Sequence, residues 1–335
     1  MNVEHSKRTW ACLATLAKGD ELLMRRFATY DLGLSGQWLV ETLSGTTFPQ
    51  RQRLGAQLAR RLSKRADLHQ LLVRSMTRWV LRDHRKDSHS PVASLQIIGG
   101  APASGKSHLA NASPDNVVTY DSDADKLRLL YLLSMVPSTL ETEAELGALL
   151  APIPIGWIGD LLQPLQRTIR TGIFKQLAEL CYHVRILGLH STVASIQKTA
   201  DAFPHYAQRT VHLVDIAGCP ALQARRLKAR EEEASHFAIL PWSYARNAAG
   251  AINQMTKTRE LLRVARRLDA QVLLTTLEAS DGRCRMTTKV LVEKKALKTS
   301  LRNAPPIRCP PPRAAEDVRR PRQHHSPVLT LPCMD

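Results

Sequence analysis

The stretch Leu95-Gln96-Ile97-Ile98-Gly99-Gly100-Ala101-Pro102-Ala103-Ser104-Gly105-Lys106-Ser107 decides how the rest of the chain reads. A short apolar β-prone run enters a loop that satisfies G-x-x-x-x-G-K-[ST], and a helix-compatible run, His108 to Asn111, follows it. Each residue type has a physical reason. Gly100 and Gly105 let the backbone turn tightly and come close to a polyphosphate. The N–H groups of Ala101, Pro102's neighbours, Ala103 and Ser104 turn inward as a positive cradle. Lys106 reaches the outer phosphate oxygens, and the Ser107 hydroxyl is suited to Mg²⁺, which bridges phosphates. The whole loop, Gly100 to Ser107, is therefore the expected ATP site, with Mg²⁺ as its ion. The bland alternative, a glycine-rich hairpin, gives no reason for Lys-Ser after the last glycine.

Outward from the loop, β-prone runs alternate with helical stretches: Asn116 to Tyr120, Val184 to Leu187, Val211 to Val214 and Gln271 to Leu274. Strands alternating with helices predict an α/β fold, a parallel sheet covered by helices on both faces, of the type built by P-loop kinases. About sixty residues between the second and third runs carry no strand signal and read as helices inserted over the strand ends. Before Pro91 the chain reads as helices. Leu54, Leu58 and Leu62, then Leu68, Leu72 and Met76, recur at helical spacing, and Phe48-Pro49 marks a helix entry. Eight of the 19 prolines fall between Pro305 and Pro332 among Arg and His, a composition from which no core is built, so a disordered tail is expected. The division is thus a helical region 1–90, an α/β domain 91–290 and a basic Pro-rich tail 291–335.

The net charge of +17 is uneven. Residues 1–90 hold 16 Lys+Arg against 8 Asp+Glu, residues 291–335 hold 9 against 4, and the middle 22 against 18. A basic chain favours anionic partners, and the basic flanks rather than the centre are the candidates for nucleic acid. Aromatics at 5% supply few stacking platforms for bases. The six cysteines are scattered without a C-x-x-C pair, which suggests neither a zinc cage nor a disulfide framework. No secretory signal or membrane span is read. The richest apolar stretch, Leu146 to Ile158, is broken by Pro152 and Pro154. A cytoplasmic location is the expectation.

Carboxylates at the second strand end are the candidates for proton transfer. Tyr120-Asp121-Ser122-Asp123-Ala124-Asp125 would face the γ-phosphate if that strand adjoins the crevice. One of Asp121 and Asp123 would help organise Mg²⁺ and the other accept a proton from an attacking hydroxyl; capping of the helix beginning near Lys126 is the competing role. Asp215 closes Val211-His212-Leu213-Val214, as a Mg²⁺-holding strand end or as a satisfied one. Arg230, in the basic helix after Cys219-Pro220, is the candidate guanidinium for charge developing on a transferred phosphoryl group, against a surface charge stripe with the glutamates that follow.

The span from about Pro91 to Val290 resembles the zeta-toxin family of P-loop kinases, through GAPASGKS after a strand, NVVTYDSDADKLR at the second strand end and HLVDIAGCPALQARRLKARE. That resemblance implies transfer of the γ-phosphate of ATP to a sugar hydroxyl of UDP-N-acetylglucosamine, and an antitoxin as protein partner. It implies Lys106 and Ser107 as nucleotide and Mg²⁺ residues, Asp123 as catalytic base, Arg230 as the phosphate-stabilising arginine, and Asp121 and Thr199 at the acceptor. Two departures stand out. The third strand, Ile186 to Thr192, has no acid before its Gly, and no arginine stands shortly before Pro241. The competing classes are a nucleoside or polynucleotide kinase on the same scaffold, and a non-catalytic nucleotide-gated binding module.

Overall fold

A computed structural model of the chain describes residues 41–81, 93–111, 117–122, 155–233, 242–280 and 283–292, with Lys126 and Leu129. The expected tail beyond residue 292 and the residues before 41 lie outside them. The described chain forms α1 (Phe48–Ser63), α2 (Ala66–Leu81), β1 (Ser94–Gly100), α3 (Lys106–Asn111), β2 (Val118–Asp121), α4 (Ile155–Glu179), β3 (Val184–Gly188), α5 (Val193–Asp201), β4 (Gln208–Gly218), α6 (Pro220–Glu233), α7 (Trp242–Met255), α8 (Thr258–Leu268), β5 (Gln271–Ser280) and β6 (Arg283–Val292).

The strands make one six-stranded sheet in the order β2-β3-β1-β4-β5-β6. β1 lies between β3 and β4, paired to both in parallel, with Leu95 opposite Val184 and Arg209. β2 and β5 continue the parallel set. β6 departs from the expected all-parallel sheet: it turns back on β5 as an antiparallel hairpin with Thr275 opposite Thr288. Its sequence, Arg-Cys-Arg-Met-Thr-Thr-Lys, alternates with charge and gives no buried-strand run, as befits an edge strand exposed on one side.

Both sheet faces are covered. On one, Leu95, Ile97, Tyr120, Ile186 and Leu213 pack with residues of α1, α2, α4, α5 and α8. On the other, Ile98, Leu187, Val214 and Ile216 pack with Ala110 of α3 and Ala248 and Ala249 of α7. Strands buried on both sides need continuous apolar runs, which is why β1, β3 and β4 were legible as strands.

α1 starts where Gln50 Oε1 accepts the Thr47 backbone N–H at 2.7 Å, with Pro in the first turn and Arg60 and Arg61 in the last. It docks on α4 through a glycine. A Cβ at Gly55 would run into the Leu161 carbonyl oxygen and lie 3.0 Å from the Pro164 ring. α4 is continuous through Pro164. Proline lacks the N–H that would bond the Asp160 carbonyl one turn earlier, and Gln52 of α1 donates to that oxygen instead, at 2.6 Å. Arg51 stacks 4.8 Å from the Trp157 ring centroid and pairs with Asp160 at 3.0 Å. Burial raises the Asp160 carboxyl above its usual range, and Arg51 opposes that shift. Cys219 and Cys284 are free, and Cys181 is disulfide-bonded, a link the scattered spacing does not announce. Among the described residues no helix is long and apolar enough to cross a membrane.

Candidate functional site

A cavity of about 700 Å³ opens over the carboxyl ends of β1, β3 and β2. Its floor is the loop between β1 and α3. The loop is tight because of its small residues. A Cβ at Gly100 would lie 2.6 Å from Ser104 Oγ and 3.0 Å from the Val214 carbonyl. Gly105 sits at φ 101° and Ala103 at φ 60°, a left-handed region that glycine enters without strain and alanine does not. Lys106 Nζ donates to the Gly100 and Ala101 carbonyls, both at 2.8 Å, folding its ammonium across the loop mouth. Ser104 Oγ is sealed and finds no hydrogen-bond partner among the described residues. Ser107 is exposed at the cavity wall.

Helix α6 braces this loop from outside. Gln223 Nε2 donates to the Pro102 carbonyl at 3.0 Å and to Ala245 at 3.2 Å. Arg226 donates to the Ala103 carbonyl at 3.2 Å. This basic residue of α6 thus faces the loop. Arg185, buried in β3, donates to Gln96 Oε1 and to the Ala110 carbonyl, both at 2.6 Å, and so closes the end of α3. Burial lowers its guanidinium pKa.

Asp121 ends β2, half-buried on the cavity wall. β3 intervenes between β2 and β1, so Asp121 lies one strand away from the strand that carries the loop, yet it lines the same cavity. Asp123 lies outside the described residues. Position 230 falls in α6, but the Arg230 side chain lies outside them as well. Thr199 is buried on the wall, its Oγ1 donating to the Ser195 carbonyl at 3.1 Å. Asp215 is a satisfied strand-end carboxylate. It accepts from the Ala217 N–H at 2.9 Å, Asn253 Nδ2 at 2.9 Å and Thr256 Oγ1 at 3.2 Å.

The opposite wall was not anticipated. Gln163, Gln166, Arg167 and Arg170 of α4 line the cavity with Lys198 of α5 and Lys126. Gln166 is fixed by donating to the Tyr120 hydroxyl at 2.7 Å. The signal was present: positions 163, 166, 167 and 170 form a polar stripe at helical spacing along the helix. His190, in the turn after β3, also lines the cavity. Burial, then the nearby Arg170 and Lys106 charges, push its pKa down to about 4, so the ring is neutral at pH 7. Among the described residues no cluster of three or more His, Cys, Asp or Glu could hold a metal.

No family model matches the chain, and no curated protein matches it. Among solved structures it is similar to one from the PezAT chromosomal toxin–antitoxin system of Streptococcus pneumoniae, at 15% identity and a TM-score of 0.44, over 64% of this chain and 79% of that one. It is also similar to one from the Pnkp1/Rnl/Hen1 RNA repair complex, at 18% identity and a TM-score of 0.34, over 50% of this chain and 46% of that one. The chain's own geometry defines a mixed α/β fold, a multi-strand sheet flanked by helices with a glycine-rich loop at the sheet's centre.

Proposed function

We propose that the chain is an ATP-dependent phosphotransferase of zeta-toxin type, which passes the γ-phosphate to a hydroxyl of a small acceptor, a nucleotide sugar such as UDP-N-acetylglucosamine. The observation that supports it is the loop Gly100–Ser107, set between β1 and α3 on the floor of a cavity with a basic far wall. The residues present suit a polyphosphate. The cradle at Gly100 has no room for a Cβ, Ser104 Oγ lacks a partner among the described residues, and Lys106 Nζ lies against loop carbonyls that a phosphate would replace. Mg²⁺ held by the Ser107 hydroxyl would neutralise charge on the phosphates.

In this reading Asp123 takes the proton from the acceptor hydroxyl as it attacks in line, and Asp121 and Thr199 orient the acceptor. Lys106 and Arg230 offset charge on the transferred group. The division at about residues 90 and 290, the cytoplasmic location, an antitoxin or other protein partner and nucleic acid on the basic flanks belong to the same proposal. The wall of Arg167, Arg170 and Lys198 also suits the phosphates of a nucleoside-bearing or polynucleotide acceptor, which keeps that kinase class as the second reading.

The test is incubation with labelled ATP and a panel of nucleotide sugars, nucleosides and 5′-hydroxyl oligonucleotides, with wild type, Lys106→Ala and Asp123→Ala. Catalysis predicts that both variants lose transfer while Asp123→Ala still binds ATP. Label on an acceptor other than the nucleotide sugar replaces the acceptor. No labelled product from wild type, with ATP binding intact, leaves a binding module.

A further inference from the structure

Three nitrogen-bearing side chains from three separate elements line the same cavity. Lys106 opens α3, Arg170 lies within α4 and His190 closes the turn after β3. That turn is locked to the phosphate loop. β3 pairs with β1 as far as Gly188 opposite Gly99, and the Gly100 N–H donates to the Leu189 carbonyl at 3.0 Å. His190 itself is left-handed, φ 46°. A Cβ at Gly99 would lie 3.0 Å from His190 Cβ, and one at Gly188 would lie 2.8 Å from His190 Nε2. Two glycines thus make the room in which the imidazole lies.

The ring's state follows from its surroundings. Nε2 is sealed from solvent without a hydrogen-bond partner among the described residues. A sealed N–H is rarer and costlier than a sealed lone pair, which assigns the proton to Nδ1. Arg170 and Lys106 lie close enough to disfavour a charge on the ring, so His190 is a neutral donor between two cations. Arg170 is held with its guanidinium 5.9 Å from the Phe174 ring centroid, and Phe174 packs edge-on against Tyr120 at 4.8 Å. Arg167, Arg170 and Lys198 make no ion pair among the described residues. The acids lining the cavity among the described residues are Asp121 and Asp201, the latter accepting from the Gln197 amide at 2.6 Å. Arg167, Arg170 and Lys198, turned to a half-buried cavity with no carboxylate paired to them among the described residues, suit an anion supplied from outside.

We propose that Arg170 and His190, together with Lys106, clamp the terminal phosphoryl group of a bound nucleoside triphosphate. The inference rests on the nucleotide reading above and deepens it: the guanidinium facing that group comes from α4, and the turn that lacks an acid carries a neutral donor in its place. The clamp discriminates triphosphate from diphosphate, because only the outermost phosphate reaches it.

The experiment is calorimetric titration of the full chain with Mg-ATP and with Mg-ADP, for wild type, Arg170→Gln, His190→Gly and His190→Asn. Glycine relaxes the left-handed backbone and removes the donor. Asparagine is tolerated there and places an amide N–H near the position of Nδ1–H. Arg170→Gln and His190→Gly are expected to weaken ATP by about tenfold or more while ADP changes less than about threefold, and His190→Asn to recover most of the ATP affinity. Equal weakening of both nucleotides, unchanged ATP affinity, or no difference between His190→Gly and His190→Asn overturns the clamp and leaves the nucleotide site standing. Wild type that binds neither nucleotide overturns both. Should Arg170→Gln not fold, Arg170→Lys keeps stem and charge but loses the planar fork, and the same ATP-selective loss is expected of it.

Discussion

Gly55→Ala tests whether the helices before the sheet are structurally part of it. The added methyl would press on the Leu161 carbonyl oxygen and on Pro164 Cδ and Cγ at 3.0 Å. None of these atoms can rotate aside: one is helix backbone, the others a ring. α1 and α4 must therefore separate by about 1 Å to restore ordinary contact, and a gap of that size forfeits about a quarter to a half of each dispersion contact across it. Leu58 and Leu62 of α1 and Leu161 and Leu165 of α4 are all buried in the cluster that would loosen. Overpacking of this kind costs about 1–3 kcal/mol, occasionally more. Alanine returns up to about 1 kcal/mol of helix propensity. The expected net loss is about 2 kcal/mol, read as a lower urea midpoint with an unchanged slope, followed by tryptophan fluorescence. Gly250→Ala in α7 is the control: nothing lies within 4 Å of its Cβ, so it should gain about 0.5–1 kcal/mol. If Gly55→Ala is as stable as wild type, or moves with Gly250→Ala, the close packing of α1 on α4 is refuted.

Three further outcomes follow from the same geometry. His190 is depressed to about 4 and His212 is lowered by burial too. The unfolded chain therefore takes up protons first as pH falls below about 6.5; through His190 stability should drop between about pH 6.5 and 4, by up to about 1.4 kcal/mol per unit, and His212 adds in the same direction. Urea midpoints at pH 7, 6 and 5 check this, and His190→Asn should flatten the slope; a pH-independent midpoint would contradict it. Asp215→Ala leaves the Ala217 N–H and the Asn253 amide without their acceptor; a loss of about 2–4 kcal/mol in stability with unchanged ATP affinity is expected, whereas selective loss of Mg-ATP binding would restore the metal-holding role. Arg185→Met strands Gln96 and the Ala110 carbonyl, with an expected loss of about 1–3 kcal/mol in thermal or urea unfolding; a neutral result would mean that α3 is held by other contacts.

The parallel strands were legible because a doubly covered sheet demands continuous apolar runs, and Leu95 to Ile98, Val184 to Leu187 and Val211 to Val214 are such runs. β6 was not, because an edge strand needs no apolar face and its Arg-Cys-Arg start reads as surface. Strand order was equally hidden. Nothing in Asn116 to Asp121 says that β3 will come between it and the loop, and that insertion moves Asp121 one strand away from where adjacency would put it. Of the site, Gly100 to Ser107 was readable since each residue answers to local geometry. Arg170 and His190 were not, because their meaning depends on which helix and which turn the topology carries to the loop. The contact of Arg226 was hidden for the same reason: only the packing of α6 turns it toward Ala103.

The central claim is that the loop ending in Lys106-Ser107 takes up a polyphosphate. Calorimetric titration of wild type and Lys106→Ala with Mg-ATP measures it most directly. Saturable binding by wild type, weakened at least about tenfold by the substitution, is the predicted result. Absence of binding by the folded wild type, or equal affinity in the two proteins, would contradict it.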